Sequence, residues 1–289
     1  MIILTLLIAA APRPAFADAV PGDVIVTLGA DLTSSQRQAM LTEMDVDANS
    51  ARIVTVTNSE EHQYLDHYLS SAEIGSRAIS SSKITIGSSG SGLTGSTHNI
   101  TYVTKDMYIN ALATAGVKDA DIYVTAPFPV SGTAALTGLM KAYEQETGQT
   151  IPDATKQVAN QEVVTAAQLG SQSGIGQQKA ADLITAIKTN MAKDAPKSEA
   201  DVEQIVKQSA DQVGVTLSNA DLQKLADLFN KMRNMHINWS QVGDQMQQLK
   251  DKVSQLAHSG QASGFFAQVV RAVGNFFIAI GHAIASLFK

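Results

Sequence analysis

From Asp18 to about Thr150, short β-branched runs alternate with segments of helical apolar spacing; after Ile151-Pro152 the strand-like runs stop. Val24-Ile25-Val26-Thr27-Leu28 predicts a first strand, and Thr33 opens a helix through Met40 and Leu41. Arg52 to Thr57 predicts a second strand. Asn58 or Ser59 is expected to cap the next helix, with Glu60 and Glu61 in its first turn, where the helix dipole favours acid. Lys83 to Ile86 and Asn99 to Thr104 read as two strands joined by a Gly/Ser-rich loop, which predicts a hairpin. A helix through Met107 and Leu112 ends at Gly116, and Ile122 to Thr125 resumes the sheet. Pro127 and Pro129 are expected to break that strand, and Ser131 to cap a helix running towards Gly148. Residues 18–150 thus predict a mixed α/β domain, a sheet with helices packed on it.

Residues 151–259 predict a helical domain. Val202, Ile205, Val206 and Val213 form one apolar stripe, and Leu222, Leu225, Phe229 and Met232 another. Val242, Met246, Leu249, Val253 and Leu256 step by four and three, the seam of a coiled-coil-like packing. Ala195-Pro196 and Gly214 mark turns between helices. The fold class expected is α+β: the N-terminal mixed α/β domain, then the helical region, then a C-terminal amphipathic helix.

That last helix belongs to residues 260–289, a small-residue linker followed by an apolar tail. Phe265 to Phe288 would make a helix about 36 Å long. Its wide apolar face carries Phe265, Phe266, Val269, Val273, Phe276, Phe277, Ile280, Ile284 and Phe288, and its narrow polar stripe holds Arg271, Asn275 and His282 with no acid. The polar stripe makes a spanning helix costly and favours an interfacial one. Three roles fit: docking on the protein's own core, contact with a membrane surface, or contact with a partner.

At the other end, Ile2 to Ala11 is an apolar run of signal-peptide length, too short to span a bilayer, followed by Ala15-Phe16-Ala17, a small-x-small cleavage pattern. No Lys or Arg precedes the run. Residues 1–17 are expected to be a signal peptide and the mature chain to start at Asp18, placing the protein in the secreted or extracellular space, in association with the cell surface or membrane. The 289-residue chain carries a formal charge of −6; the loss of residues 1–17 removes one Arg and no acid, which takes it to −7. That sign argues against a surface built throughout for nucleic acid. With no cysteine, disulfides, zinc–thiolate sites and thiol catalysis are excluded, and the lack of disulfides suits a Gram-positive exterior.

Few motifs carry chemistry. Gly90-Ser-Gly92-Leu-Thr-Gly95 matches the dinucleotide-binding spacing, but a strand follows where that site needs a helix, so it reads as a loop. Ser80 to Lys83 fits S-x-x-K without its companion motifs. No cofactor or metal site is expected. The catalytic candidates are His62, Asp66, Arg77 and His98; His62 and Asp66 stand four apart on one helix and share a face. Gly174-Ile-Gly176-Gln-Gln-Lys179 resembles the turn of helix-hairpin-helix modules, whose backbone N–H groups meet a phosphate, yet the acidic chain makes nucleic acid an improbable partner.

Val54 to Leu65, Ile74 to Ala78, Thr97 to Thr104, Met107 to Lys118 and Ala126 to Gly138 resemble segments of a family of uncharacterised secreted proteins of Gram-positive bacteria, a domain-of-unknown-function family first noted in bacilli. The likeness is specific over residues 20–147 and looser over the helical half. It implies an exported setting and brings no activity, cofactor or catalytic residue. The reading of the chain is therefore an exported binding or structural module at the cell surface, its partner an envelope component or protein. The alternatives are an envelope hydrolase using His62, Asp66, Arg77 and His98, and an extracellular DNA binder using Gly174, Gly176 and Lys179.

Overall fold

A computed structural model describes residues 20–48 and 51–258. The expected signal peptide and the Phe-rich tail lie outside the described residues.

The element order is β1 (Val24–Gly29), α1 (Ser34–Glu43), β2 (Arg52–Val56), α2 (Asn58–Leu65), α3 (Ser71–Ile74), β3 (Ser81–Ile86), β4 (Leu93–Ile100), α4 (Lys105–Thr114), β5 (Ala120–Val130) and α5 (Ala135–Thr147). Then follow α6 (Asp153–Gln172), α7 (Gln177–Asp194), α8 (Glu199–Val213), α9 (Asn219–Arg233) and α10 (Trp239–His258). This is the expected α+β class, a five-stranded sheet with packed helices continued by helices.

The sheet order is β2-β1-β3-β5-β4, with β1–β2 and β4–β5 parallel and β3 antiparallel to both of its neighbours. The two faces divide by strand alternation. Ile25, Ile84, Ile122 and Val124 enter one large core with α4, α5 and the later helices. Val26 and Leu28 point the other way and are covered by Met40 and Leu41 of α1 and by Met44 just after it. The large core is continuous from Ile25 through Met107 and Leu139 to Phe229, Met246 and Leu249, so the helical half shares apolar contacts with the sheet half. Val202, Ile205, Val206, Leu225, Phe229, Met232, Val242 and Met246 are buried at the stripe positions read from the sequence.

Two local expectations are corrected. β3 and β4 form no hairpin, because β5 inserts between them. β3 already pairs with β1 and β5, and β5 is buried at Ile122, Val124 and Ala126, so β4 can pair only on the far edge of β5. The connecting loop must then cross two strand spacings, about 9.5 Å. It is tied to the start of β5 on the way, through Gly87 N to the Asp119 carbonyl at 2.8 Å and Gly92 N to Asp119 Oδ1 at 2.7 Å. Nor do Pro127 and Pro129 break the strand. β5 runs through both, since beyond Thr125 it has no β3 partner and behaves as an edge that tolerates a missing N–H. Two caps also shift by a few residues: Thr57 caps α2 in a capping box with Glu60, and α5 starts at Ala135 without a side-chain cap from Ser131.

Candidate functional site

The residues singled out in the sequence fall in three separate places. His62 and Asp66 sit one turn apart on α2 and pair with each other, Nδ1 to Oδ1 at 2.6 Å, while His62 Nε2 lies 3.2 Å from the Gly75 carbonyl. The hydrogen bond to Asp66 raises the His62 imidazole above its ordinary value. Arg77 lies near this end of the fold and donates to the Asp31 carbonyl at 3.3 Å, with no direct bond to either. Between them Glu61 is buried, its carboxyl pushed up to about 7 by desolvation and opposed by one hydrogen bond from Asn58 at 3.1 Å.

His98 is elsewhere, on the outer face of β4. Its Nδ1 lies 2.8 Å from Glu43 Oε1, which also accepts from Tyr123 Oη at 2.7 Å and Thr125 Oγ1 at 2.6 Å. Burial pushes the Glu43 carboxyl up, but the hydrogen bonds from Thr125, Tyr123 and His98 outweigh it, and the net shift is downward. Desolvation, with the Glu43 carboxylate beside it, lifts Tyr123 to about 12. Three side chains on one oxygen fasten the end of α1 to the sheet. So the four catalytic candidates are not one constellation.

Gly174 and Gly176 form the turn between α6 and α7, both at positive φ, with Lys179 exposed beyond it. The Gly176 N–H that a phosphate would need is donated to the Gly170 carbonyl at 2.9 Å. Among the described residues there is no group of three or more His, Asp or Glu placed to hold a metal, and no helix long and apolar enough to cross a membrane. The nine tail residues from Phe265 to Phe288 lie outside the described residues.

The side chains with the most chemical potential were not singled out in the sequence. A cleft of about 510 Å³ is lined by Asp106 at the start of α4, Asp182 and Thr185 on α7, Gln212 and Val213 at the end of α8, and Leu249 and Lys250 on α10. Thr104 caps α4 through the Met107 N–H at 3.3 Å, which puts Asp106 in the first turn. Gln178 and Asp182 are one turn apart on α7. The Gln178 amide donates to Asp106 Oδ2 at 2.9 Å and to Asp182 Oδ1 at 3.0 Å, which holds the two carboxylate oxygens within about 6 Å of each other.

The two acids have unequal surroundings. Asp106 is buried and pairs with Lys105 Nζ at 2.6 Å. Asp182 is exposed at the rim, yet the walls around its carboxyl crowd out enough solvent to push it upward, Gln178 opposing and Asp106 reinforcing. Behind the site, the Asn110 amide donates to Thr185 Oγ1 at 3.0 Å and to the Asp106 carbonyl at 2.9 Å, locking α4 to α7. Chemically this is an acceptor-rich cleft with an apolar flank of Ala186, Val213 and Leu249. The only local signal for it is the Gln178–Asp182 spacing next to Lys179; Asp106 lies 72 positions before Gln178, and no short pattern connects them.

Comparison with known proteins adds a family but no chemistry. Residues 28–249 match the family described as "Protein of unknown function (DUF1002)". The chain is 51% identical over 290 residues to the "Uncharacterized protein YpuA" of Bacillus subtilis (strain 168), an alignment covering 100% of this chain and 98% of that one. An unknown-function family with a member in a bacillus is what the resemblance implied. No solved structure matches the chain.

Proposed function

We infer, from the premise that this chain belongs to the DUF1002 family of proteins of unknown function, that it is an exported binding module of the cell envelope. Its ligand is an envelope component bearing amine or hydroxyl groups, received in the cleft of Asp106 and Asp182. The observation that carries this is the shared Gln178 amide. Each of these acids takes one bond from the amide, and Asp106 one more from Lys105, so both keep acceptor capacity for a ligand that brings N–H or O–H groups. The cleft is within the size range of small-ligand sites and combines an apolar flank with a few convergent polar groups. Export rests on the apolar run Ile2 to Ala11 and the Ala15-Phe16-Ala17 pattern.

The test is retention of residues 18–289 on purified bacillus cell-wall material, beside the single change Asp182→Asn. The expected result is saturable retention that Asp182→Asn weakens about tenfold. Retention equal for both proteins, or none, would sink the reading.

A hydrolase is the second reading, and the same pair favours it. Two carboxyl groups within about 6 Å, one ion-paired and one shifted upward by desolvation, resemble the acid and base of glycosidic cleavage. Release of soluble reducing sugar from the wall, lost in Asp182→Asn but intact after alanine substitution of His62 or Arg77, would select this reading. Loss at His62 or Arg77 instead would move the chemistry to α2.

A further inference from the structure

The cleft of Asp106 and Asp182 has an acceptor side and a donor side. Asp106 of α4 and Asp182 of α7 line the first, and Gln212 of α8 and Lys250 of α10 line the second. Asp182, Gln212 and Lys250 are exposed, so a ligand can reach all three. Ala186 stands one turn beyond Asp182 on α7, and Val213 and Leu249 are the chain neighbours of Gln212 and Lys250, so each side continues into apolar wall.

The charges on the two sides are not paired with each other. Lys105 Nζ lies 2.6 Å from Asp106 Oδ1, which cancels the Asp106 charge. Among the described residues Asp182 forms no ion pair; its Oδ1 takes the Gln178 amide at 3.0 Å, and its Oδ2 has no donor. Lys250 forms neither an ion pair nor a hydrogen bond among them. Gln212 accepts from Asn190 at 3.1 Å through Oε1 and keeps both amide N–H groups free. The acceptor side thus carries one uncompensated negative charge and the donor side one positive charge.

This distribution selects among ligands. One unpaired carboxylate calls for a single ammonium, which a neutral hydroxyl does not replace and a divalent cation overcompensates. The walls push the Asp182 carboxyl upward, so it gains from a cation beside it. The Lys250 ammonium, with the Gln212 amide, calls for a carboxylate. Asp182 and Lys250 stand on α7 and α10, which pack together, and the axes of packed helices lie about 8–10 Å apart. A free amino acid holds its two charges on neighbouring carbons, whereas an extended dipeptide spans about 7 Å.

Taking this cleft as the ligand site, as inferred above, we propose that it holds a short zwitterionic peptide, its amine at Asp182 and its carboxylate at Lys250 and the Gln212 amide. A cleft of about 510 Å³ has room for a few small residues, and Ala186, Val213 and Leu249 suit aliphatic side chains.

The test is isothermal titration of the protein with dialanine, in its L,L and D,D forms, and with the N-acetyl and C-terminal amide derivatives of whichever form binds. Dialanine is expected to bind saturably, and each derivative about tenfold more weakly. In Asp182→Asn the free and the acetylated peptide should bind alike. In Lys250→Gln the free acid and the amide should do so, and Lys250→Arg should bring that difference back. No saturable binding of either form of dialanine overturns the proposal. So does a derivative that binds as tightly as dialanine, or a Lys250→Gln protein that still prefers the acid. If Asp182→Asn nevertheless weakens retention on cell-wall material, the cleft stays the ligand site and only the peptide is wrong. If it changes neither retention nor titration, both readings fall.

Discussion

Lys188 and Glu162 form an ion pair at 2.6 Å with side chains 0% and 1% exposed, at the point where α4, α6 and α7 meet. Burial pulls the Lys188 ammonium downward, and Glu162 opposes that pull. Each partner also has a hydrogen bond outside the pair. Lys188 Nζ also donates to the Asn110 carbonyl, and Thr114 Oγ1 donates to Glu162 Oε2 at 2.5 Å. Asn110 in turn links to Thr185 and Asp106, so the buried pair and the acidic cleft belong to one polar network.

Removing one partner of this pair is expected to leave the other buried and unpaired. Lys188→Met should cost about 3–5 kcal/mol, whereas Lys188→Met with Glu162→Leu should recover most of the loss. Urea unfolding of the two variants checks this. A double variant no more stable than the single one would mean that the pair holds the helices by more than charge compensation.

Glu61 predicts a pH dependence with a definite sign. Its carboxyl is 3% exposed and sits at about 7 in the folded chain against 4.5 ordinarily, so the folded state holds the proton more tightly. The stability this contributes is fully present below about pH 4.5 and is lost as pH rises towards 7. Glu61→Gln, which cannot ionise, should therefore be more stable than the parent above pH 7, by about 2–3 kcal/mol, and level with it near pH 4.5. Thermal melts of both proteins across pH 4.5–8 read the difference. A constant gap across that range would mean that Glu61 does not titrate there.

The Glu43 cluster runs the opposite way. Its folded-state shift is downward, so its contribution is present above pH 4.5 and fades as pH falls through the lowered value. Tyr123→Phe removes one of three donors and should cost about 1 kcal/mol. Glu43→Ala releases all three and the end of α1, and should cost more. A double-mutant cycle of Tyr123→Phe with Glu43→Ala is expected to give a coupling of about 1 kcal/mol. A coupling near zero would mean that Tyr123 holds its place by packing alone.

The acid-free apolar tail predicts a binding difference rather than a stability one. Residues 18–289 are expected to co-sediment with anionic liposomes, and a version ending at Gly260 to stay in solution. A truncated chain that instead loses thermal stability, with neither version binding, would assign the tail to the protein's own core.

Much of the fold was legible at short range, and the misses share one cause. The apolar stripes at Val202, Ile205 and Val206 and at Leu225, Phe229 and Met232 repeat within one or two helical turns, and Thr33, Ser198 and Ser218 cap their helices through bonds three residues long. The false hairpin came from reading the same kind of local signal where the answer was remote. Nothing near Ile86 or Leu93 says that a strand some 30 residues further on will take the place between them. His62 and Asp66 stand four residues apart, within the reach of helical spacing, whereas His98 meets Glu43 from 55 positions away.

The sequence by itself thus determined the α+β class, the positions of most elements, the acidic, cysteine-free composition and the apolar segments at either end, because each depends on side-chain periodicity, capping or composition within a few residues. Only the tertiary structure decided which strands are neighbours and which polar groups meet. Asp106 shares an amide with Asp182 only once α4 packs against α7, and Lys188 finds Glu162 only when α6 closes over both. These contacts follow from burying one continuous apolar core, to which residues far apart in the chain contribute together, and local sequence pattern carries no information about such distances.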